Sequence, residues 1–145
     1  MQQLRIRRPS SEEEMNSLRA LRLEVFVREQ GVPEELELDA LDAEAIHAVA
    51  WDRGEVVGTG RLILRPMREA QIGRMAVRSS ARGRGIGSAV LGFLEREAKA
   101  QGARRIELHA QSHVKGFYRR HGYRQKGARF LEAGIEHVVM RKRLS

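Results

Sequence analysis

The sequence has no cysteine, few aromatic residues and no long apolar run, and each absence excludes a class of protein. Without cysteine the chain forms no disulfide, uses no thiolate nucleophile and binds no metal through a thiolate. Aromatic residues make up only 5% of the chain, which disfavours a surface that stacks nucleic-acid bases. No apolar stretch approaches the ~20 residues of a membrane-spanning helix, and the first ten residues lack the apolar core of a signal peptide. We therefore expect a soluble, cytoplasmic protein that does not associate with membranes.

The 145 residues are instead rich in charge and apolar enough to form a core. This length is typical of one domain, so we expect residues 1–145 to form a single unit. The 27 basic and 19 acidic residues give a net charge of +8. That excess predicts an anionic partner, either a nucleic acid or a phosphorylated small molecule. A general preference for arginine on a solvated surface would produce the same charge.

Hydrophobic periodicity predicts strands and helices along the whole chain. A capping box of Ser11 and Glu14 opens the first helix, and a carboxylate-rich, irregular segment follows at 31–46. Strands are predicted at 4–8, 47–51, 55–64, 70–77, 104–110, 123–127 and 134–144, and helices at 10–30, 84–101 and 112–121. The last two strands are expected to pair antiparallel. This order predicts one α/β domain with a mixed sheet at its centre.

The segment AVRSSARGRGIGSAVL (76–91) joins a predicted strand to a predicted helix through three glycines and three arginines. A helix N-terminus leaves backbone N–H groups unpaired and carries a partial positive charge. Glycines let a phosphate approach those groups, and arginines add attraction. The spacing fits neither the Walker loop nor the dinucleotide fingerprint, but residues 82–87 spell R-x-x-G-x-G. We therefore predict a backbone site for a diphosphate; the alternative is a flexible surface turn with solvated arginines.

Three stretches resemble the GNAT superfamily of N-acetyltransferases. IGRMAVRSSARGRGIGSAVL (72–91) resembles the acetyl-CoA motif, and IELHAQSHVKGFYRRHGY (106–123) resembles the strand and helix that follow it. LRLEVFVREQGVPEELELDALDAEAIHAVAW (21–51) is similar to the N-terminal segment of the small bacterial ElaA-like branch. The resemblance implies a GNAT-like acyl-CoA N-acyltransferase fold, with a mixed, mostly antiparallel sheet flanked by helices. It also implies direct acetyl transfer from acetyl-CoA to a primary amine, without a metal.

The resemblance assigns the cofactor contacts to two stretches and one side chain. The pantetheine arm would pair, like an added strand, with the backbone of Met75, Ala76 and Val77. The diphosphate loop maps onto Arg82, Gly83, Arg84, Gly85, Ile86, Gly87 and Ser88. Gln111 stands where the family commonly has asparagine, and it keeps the same donor and acceptor groups.

Acetyl transfer from a thioester to an amine needs a neutral amine and a protonated leaving thiolate. An alkylamine has a pKa near ~10.4, a thiol near ~8.5 and a phenol near ~10, so a phenol can donate to the thiolate. Tyr118 matches the family's tyrosine and is the candidate general acid, beside the cofactor. The alternative is a core aromatic residue whose hydroxyl reaches the surface.

Glu29, at the end of the first predicted helix, is the first candidate for taking the amine's proton through water or for holding the ammonium group. The competing carboxylates, each of which also fits a solvated acidic loop, are Glu34, Glu35, Glu37, Asp39, Asp42 and Glu44. Together they predict a cationic amine substrate. The five histidines are scattered; His47 and His137 could face the cleft or simply pack. No pattern of metal ligands is evident.

Two other functions are compatible with the sequence. The first is a non-catalytic acyl-CoA-binding sensor of the same fold, because fold does not fix function. The second is a basic nucleic-acid-binding module, against which the low aromatic content and the lack of a continuous basic helix face both argue. The C-terminal strand pair leaves edges that could join a second subunit, which allows a homodimer.

Overall fold

A seven-stranded mixed sheet forms the centre of the protein, with strands in the order β1-β2-β3-β4-β5-β7-β6. The computed structural model describes residues 4–145, so the first three residues of the predicted domain lie outside the described range. The strands are β1 (Leu4–Arg7), β2 (Ile46–Asp52), β3 (Glu55–Arg65), β4 (Glu69–Val77), β5 (Arg105–Gln111), β6 (Arg124–Glu132) and β7 (Ile135–Arg143). Every neighbouring pair is antiparallel except β4 and β5, which are parallel. The predicted mixed, mostly antiparallel sheet is confirmed.

Four α-helices accompany the sheet in the described part of the chain. They are α1 (Glu12–Arg22), α2 (Glu34–Glu37), α3 (Ile86–Ala100) and α4 (Lys115–Arg120). Within residues 4–145, none is both long and apolar enough to span a membrane. Short 3₁₀ turns at 40–43, 79–81 and 112–114 complete the connections.

The first helix begins as predicted but does not stay regular. The Ser11 hydroxyl accepts the Glu14 N–H at 3.1 Å. The Glu14 carboxylate accepts the N–H of Ser10 at 2.7 Å, one residue earlier than in a capping box. After α1, residues Leu23–Glu29 form a π-helix, in which the Gln30 N–H donates to the Val25 carbonyl at 3.1 Å. The predicted helix at 10–30 is therefore an α-helix followed by this π-helical segment.

Helices cover both faces of the sheet, and the alternation along β2 shows the two layers. Ala48 and Ala50 pack against α3, whereas Val49 between them packs against α1. The buried face of α3 consists of Ile86, Val90, Leu91, Leu94 and Ala98. The opposite face of the sheet receives Leu18, Leu21 and Val25. Burial of apolar side chains on both faces is the main stabilising contribution to the fold.

The start of α3 lies very close to the sheet at one glycine. A Cβ atom on Gly58 of β3 would lie 2.7 Å from Cγ2 of Ile86, closer than packed carbons approach. Only glycine therefore allows α3 to begin at this distance from β3. This contact fixes the position of the loop that precedes α3.

β4 and β5 separate part-way along their length. They pair from Glu69 and Arg105 as far as Ile72 and Leu108. Just beyond, the pairing of β4 with β3 contains a β-bulge around Arg74, whose φ is 52°. A bulge bends its strand, and β5, which pairs with β7 along its whole length, has β7 as its only partner among the described strands beyond Leu108. The two parallel strands therefore open a cleft at the centre of the sheet.

Candidate active site

The cleft between β4 and β5 widens into a cavity of about 810 Å³. Its walls come from β4, β5, the π-helical segment, α4 and the turn between β6 and β7. A smaller pocket of about 330 Å³ lies at the N-terminus of α3. The two share Val77, Arg82, Gly87 and Phe117 in their walls. One elongated ligand can therefore extend from the α3 loop into the cleft.

The loop before α3 presents backbone N–H groups to the smaller pocket. Gly83 and Gly85 both have a φ of +80°, a conformation that residues with a Cβ rarely adopt. Gly85 is the N-cap of α3 and provides no side-chain cap. The first intrahelical bond is donated by Ala89 to the Gly85 carbonyl at 3.1 Å, so the preceding helical N–H groups have no intrahelical acceptor. Together with the helix dipole, these groups form a site suited to an anion.

The arginines of the loop bind neighbouring carboxylates. Nη1 and Nη2 of Arg82 lie 2.5 Å and 2.8 Å from the two carboxylate oxygens of Glu29, and its Nε donates to the Val77 carbonyl at 3.0 Å. Arg84 pairs with Asp52 at 3.0 Å. The hydrogen bonds from Arg82 lower the pKa of Glu29, which works against Glu29 as a base. In this arrangement both guanidinium groups are bound to carboxylates, so contacts of Arg82 and Arg84 with a diphosphate stay predictions.

The free edge of β4 lies along the cleft. Met75, Ala76 and Val77 line the cavity and follow the point at which β5 departs. On its other side β4 stays paired with β3, where Ala76 lies opposite Thr59. An extended ligand rich in amides can therefore add to β4 as a further strand.

Tyr118 borders the cavity from α4 and is only 8% exposed. The rings of Phe117 and Tyr123 pack edge-on against it, with centroids at 5.0 Å and 5.9 Å. Burial raises the pKa of Tyr118 to about 12. The phenol therefore keeps its proton at neutral pH and is available as a donor inside the cleft.

Comparison with known proteins decides the family. A sequence model of the acetyltransferase (GNAT) domain matches residues 7–144. The chain belongs to the GNAT family of acetyltransferases. It is 38% identical to the Bacillus subtilis protein named uncharacterized N-acetyltransferase YjcF over 133 residues, which cover 91% of this chain and 94% of YjcF. The resemblance inferred from three motifs is confirmed.

Solved GNAT structures have the same architecture. A Pseudomonas aeruginosa acyl-CoA N-acyltransferase is 31% identical, with a TM-score of 0.84 and coverage of 98% of this chain and 99% of that one. Escherichia coli ElaA shares the fold with a TM-score of 0.85 at 24% identity, again over 98% and 99% of the two chains. The seven-stranded sheet with its central cleft is thus a GNAT fold.

Gln111 connects the two sides of the GNAT cleft. Its amide Nε2 donates to Oε1 of Gln30 at 2.8 Å. Gln111 ends β5, and Gln30 follows the π-helical segment. Both residues line the cavity. The structure therefore places the amide of Gln111 at the cleft, where it holds the two walls together, and its contact with a cofactor stays a prediction.

Buried ion pairs anchor the acidic segment of this GNAT protein to the sheet. Arg22, only 1% exposed, binds Glu37 and also lies 2.9 Å from Asp42. Arg61 of β3 lies 2.9 Å from Asp42 and 2.7 Å from Asp39. Three carboxylates of this segment that were considered as bases are thus bound to arginines, as Glu29 is to Arg82. The others in that segment, Glu34, Glu35 and Glu44, are exposed.

Two histidines that look scattered in the sequence meet in the cavity wall. Nδ1 of His109 on β5 lies 2.9 Å from Oε1 of Glu132 at the end of β6. Nε2 of His137 on β7 lies 3.8 Å from Oε2 of the same carboxylate. Strand pairing places Gln111 opposite His137, so His109 and His137 lie on the same face of the sheet. Sequence reasoning missed this cluster, and alternation within each strand was its only signal. Among residues 4–145, no group of three side chains is arranged to hold a metal ion.

Proposed function

We propose that this GNAT protein transfers an acetyl group directly from acetyl-CoA to a primary amine. The observation that supports it is one continuous path, from loop 82–88, along the free edge of β4, to Tyr118. The path offers N–H groups to a diphosphate, a strand edge to the pantetheine amides and a protonated phenol beside the thioester. The Pseudomonas relative is named as an acyl-CoA N-acyltransferase, which agrees with this activity.

In the proposed reaction Tyr118 is the general acid. The neutral phenol donates to the sulfur as negative charge develops there during departure of the thiolate. The burial that raises the pKa of the phenol to about 12 also raises that of a thiol formed beside it, for the same reason. The two groups therefore stay close enough in basicity for the phenol to donate a hydrogen bond or its proton.

The proposed acceptor is a cationic amine that approaches from the side of Glu29 and the acidic segment. Because the Arg82 guanidinium lowers the pKa of Glu29, this carboxylate is better suited to holding an ammonium group than to removing its proton. The exposed carboxylates Glu34 and Glu35 would attract the same positive charge. We propose that residues 1–145 act as a single domain in the cytoplasm, where acetyl-CoA is available. The exposed strand β6 is the proposed contact of a homodimer.

The replacement Tyr118→Phe tests the acid. We expect kcat to fall about 100-fold, because a positioned proton donor contributes on this order, with the Kd of acetyl-CoA essentially unchanged. The matched control is Tyr123→Phe, since Tyr123 is also buried but its hydroxyl donates to Glu95 at 2.7 Å. That control should lower stability without lowering kcat. Full turnover in the Tyr118→Phe variant would remove the role assigned to Tyr118.

A panel of primary amines separates an enzyme from a sensor. The panel includes peptides with free α-amino groups, lysine side chains, polyamines and arylalkylamines, and the readout is thiol release from acetyl-CoA. Because the chain has no cysteine, the released CoA is the only thiol detected. Turnover with at least one amine supports the proposal. Tight acetyl-CoA binding without turnover of any amine would indicate the non-catalytic sensor instead.

A further inference from the structure

His109 lies on the face of the sheet opposite to Tyr118. Ala110, its neighbour on β5, packs in the core cluster that contains Tyr118 and α3. Side chains alternate along a strand, so His109 and Gln111 point to the other face. The hydrogen bond from Gln111 to Gln30 agrees, because Gln30 follows the π-helical segment on that side. His109 thus lines the cavity on the side of the proposed acceptor.

The contact with Glu132 determines which nitrogen of His109 can accept a proton. An ionised carboxylate only accepts hydrogen bonds, so Nδ1 of His109 must donate to Oε1 of Glu132 over their 2.9 Å separation. In the neutral ring the lone pair is then on Nε2. The ring is 31% exposed and borders the cavity, so a ligand can reach this nitrogen.

The surroundings hold the His109 ring in this orientation. Phe130 packs edge-on against it, with ring centroids 5.3 Å apart. Glu132 is flanked on its other side by Nε2 of His137 at 3.8 Å. Nδ1 of His137 donates in turn to the Ile135 carbonyl at 2.7 Å. The titratable and charged groups that flank His109 are thus Glu132 from β6, His137 from β7 and, two residues away on the same face of β5, Glu107 with its partner Arg141.

We infer that His109 is the catalytic base toward the acceptor amine and that Glu132 is its positioning residue. This assignment rests on the proposed function. Nε2 of His109 takes one proton from the ammonium group, and the freed nitrogen lone pair forms a bond to the thioester carbonyl carbon. The carbon–sulfur bond breaks, the sulfur keeps its electron pair, and the phenol of Tyr118 protonates it. The new amide nitrogen gives up a second proton, which restores the phenol through solvent, and the proton on His109 passes to solvent.

The test uses His109→Gln and Glu132→Gln in the full-length protein, with a primary amine that the wild type acetylates. We expect kcat/KM to fall about 100-fold in His109→Gln, within the range of general-base catalysis. In Glu132→Gln we expect a fall of at least about 10-fold, because a carboxamide no longer fixes the tautomer of the ring. The wild-type rate should rise with pH, because a base accepts a proton only in its neutral form. In His109→Gln the rate should instead rise in proportion to the fraction of the amine that is unprotonated in solution. A purely structural role for His109 would not change the pH profile in this way.

The matched control is Glu107→Gln, on the same face of β5 but paired with Arg141 at 3.0 Å outside the cavity. It should keep the wild-type rate and pH profile. All variants should keep the wild-type Kd of acetyl-CoA, which shows that each is folded. Wild-type kcat/KM and pH profile in His109→Gln would overturn the assignment alone. Absence of turnover by the wild type with every amine would overturn the proposed function and the assignment with it.

Discussion

A single side chain, Arg82, fastens the loop before α3 to the wall of the cleft. Its guanidinium is divided between the Glu29 carboxylate and the Val77 carbonyl, on two different elements. The arginine that the motif requires therefore holds the loop in shape, and the glycines expose the N–H groups. A bidentate pair of this kind is geometrically specific. Its partner Glu29 is consequently part of the loop's support as well as of the acceptor side.

The replacement Glu29→Gln separates the two roles considered for this carboxylate. A neutral amide attracts an ammonium group less strongly, so we expect the KM of the amine to rise about 10-fold, the order for a hydrogen bond to a charged group. We expect kcat to stay close to that of the wild type. The matched control is Glu24→Gln, in the same segment and paired with Arg78 at 3.5 Å. A fall in kcat at unchanged KM would identify Glu29 as the base instead.

Local motifs predicted some site residues and could not predict others. The loop at 82–88 and Tyr118 are specified by short stretches of sequence. In the structure Tyr118 lines the cleft, and the loop residues line the adjoining pocket except for Arg84, which pairs with Asp52. His109 and Glu132 lie far apart in the sequence and meet because β7 pairs with both β5 and β6. Alternation within one strand indicates which residues share a face, but it does not fix the register between strands. That cluster could therefore only be found in three dimensions.

At the level of elements, the π-helical segment shows the limit of periodicity. Leu18, Leu21 and Val25 fit the spacing of one regular helix, and all three are buried in the structure. A π-turn inserts extra chain without disturbing the apolar positions before it, so a regular pattern does not reveal it. The insertion matters to the site, because Phe26 and Glu29 of this segment line the cavity.

The arginines that anchor the acidic segment predict an acid dependence of stability. Hydrogen bonds from Arg61 lower the pKa of Asp39 to about 2, from an ordinary value of 3.8. Because the pKa is lower in the folded state, the stabilisation is complete above about pH 4 and is lost as the pH falls toward 2. In Asp39→Asn this dependence should flatten and the free energy of unfolding at neutral pH should decrease. Urea unfolding at a series of pH values measures both effects.

The control for that experiment is Glu35→Gln, which removes a neighbouring carboxylate that is exposed on α2. The free energy of unfolding of this variant, both at neutral pH and as the pH falls toward 2, should stay within about 0.5 kcal/mol of the wild-type value, as is usual for surface substitutions. If Asp39→Asn lost stability at acid pH as steeply as the wild type, other carboxylates would be responsible for the acid dependence. The acidic segment, which has no regular periodicity in the sequence, is thus held to the sheet by ion pairs. The sequence alone does not show which carboxylate pairs with which arginine.

For the whole molecule, the order of elements predicted the fold class but not the order of strands. The pairing of the last two strands was expected, yet β7 lies between β5 and β6, inside the sheet. This insertion brings His137 beside β5 and leaves the exposed β6 at the edge. Local pattern predicts that two adjacent strands pair with each other, but it does not show which of the two lies inside the sheet. The cleft lies between β4 and β5, the one parallel pair of the described sheet, whose pairing ends at Ile72 and Leu108.

The net charge of +8 leaves two anionic partners to be separated, a nucleotide-like cosubstrate and a nucleic acid. A ligand present at about 100 times its Kd stabilises the folded state by ~2.7 kcal/mol. In a chain of this size that raises Tm by roughly 5–10 °C. We expect this shift with CoA or acetyl-CoA and its loss with pantetheine, which lacks the diphosphate that the α3 loop would bind. A thermal-shift titration with these three ligands and a DNA oligonucleotide measures the difference. Stronger stabilisation by the oligonucleotide, with an affinity that falls about 10³-fold or more between 50 and 200 mM salt, would identify a nucleic-acid-binding module instead.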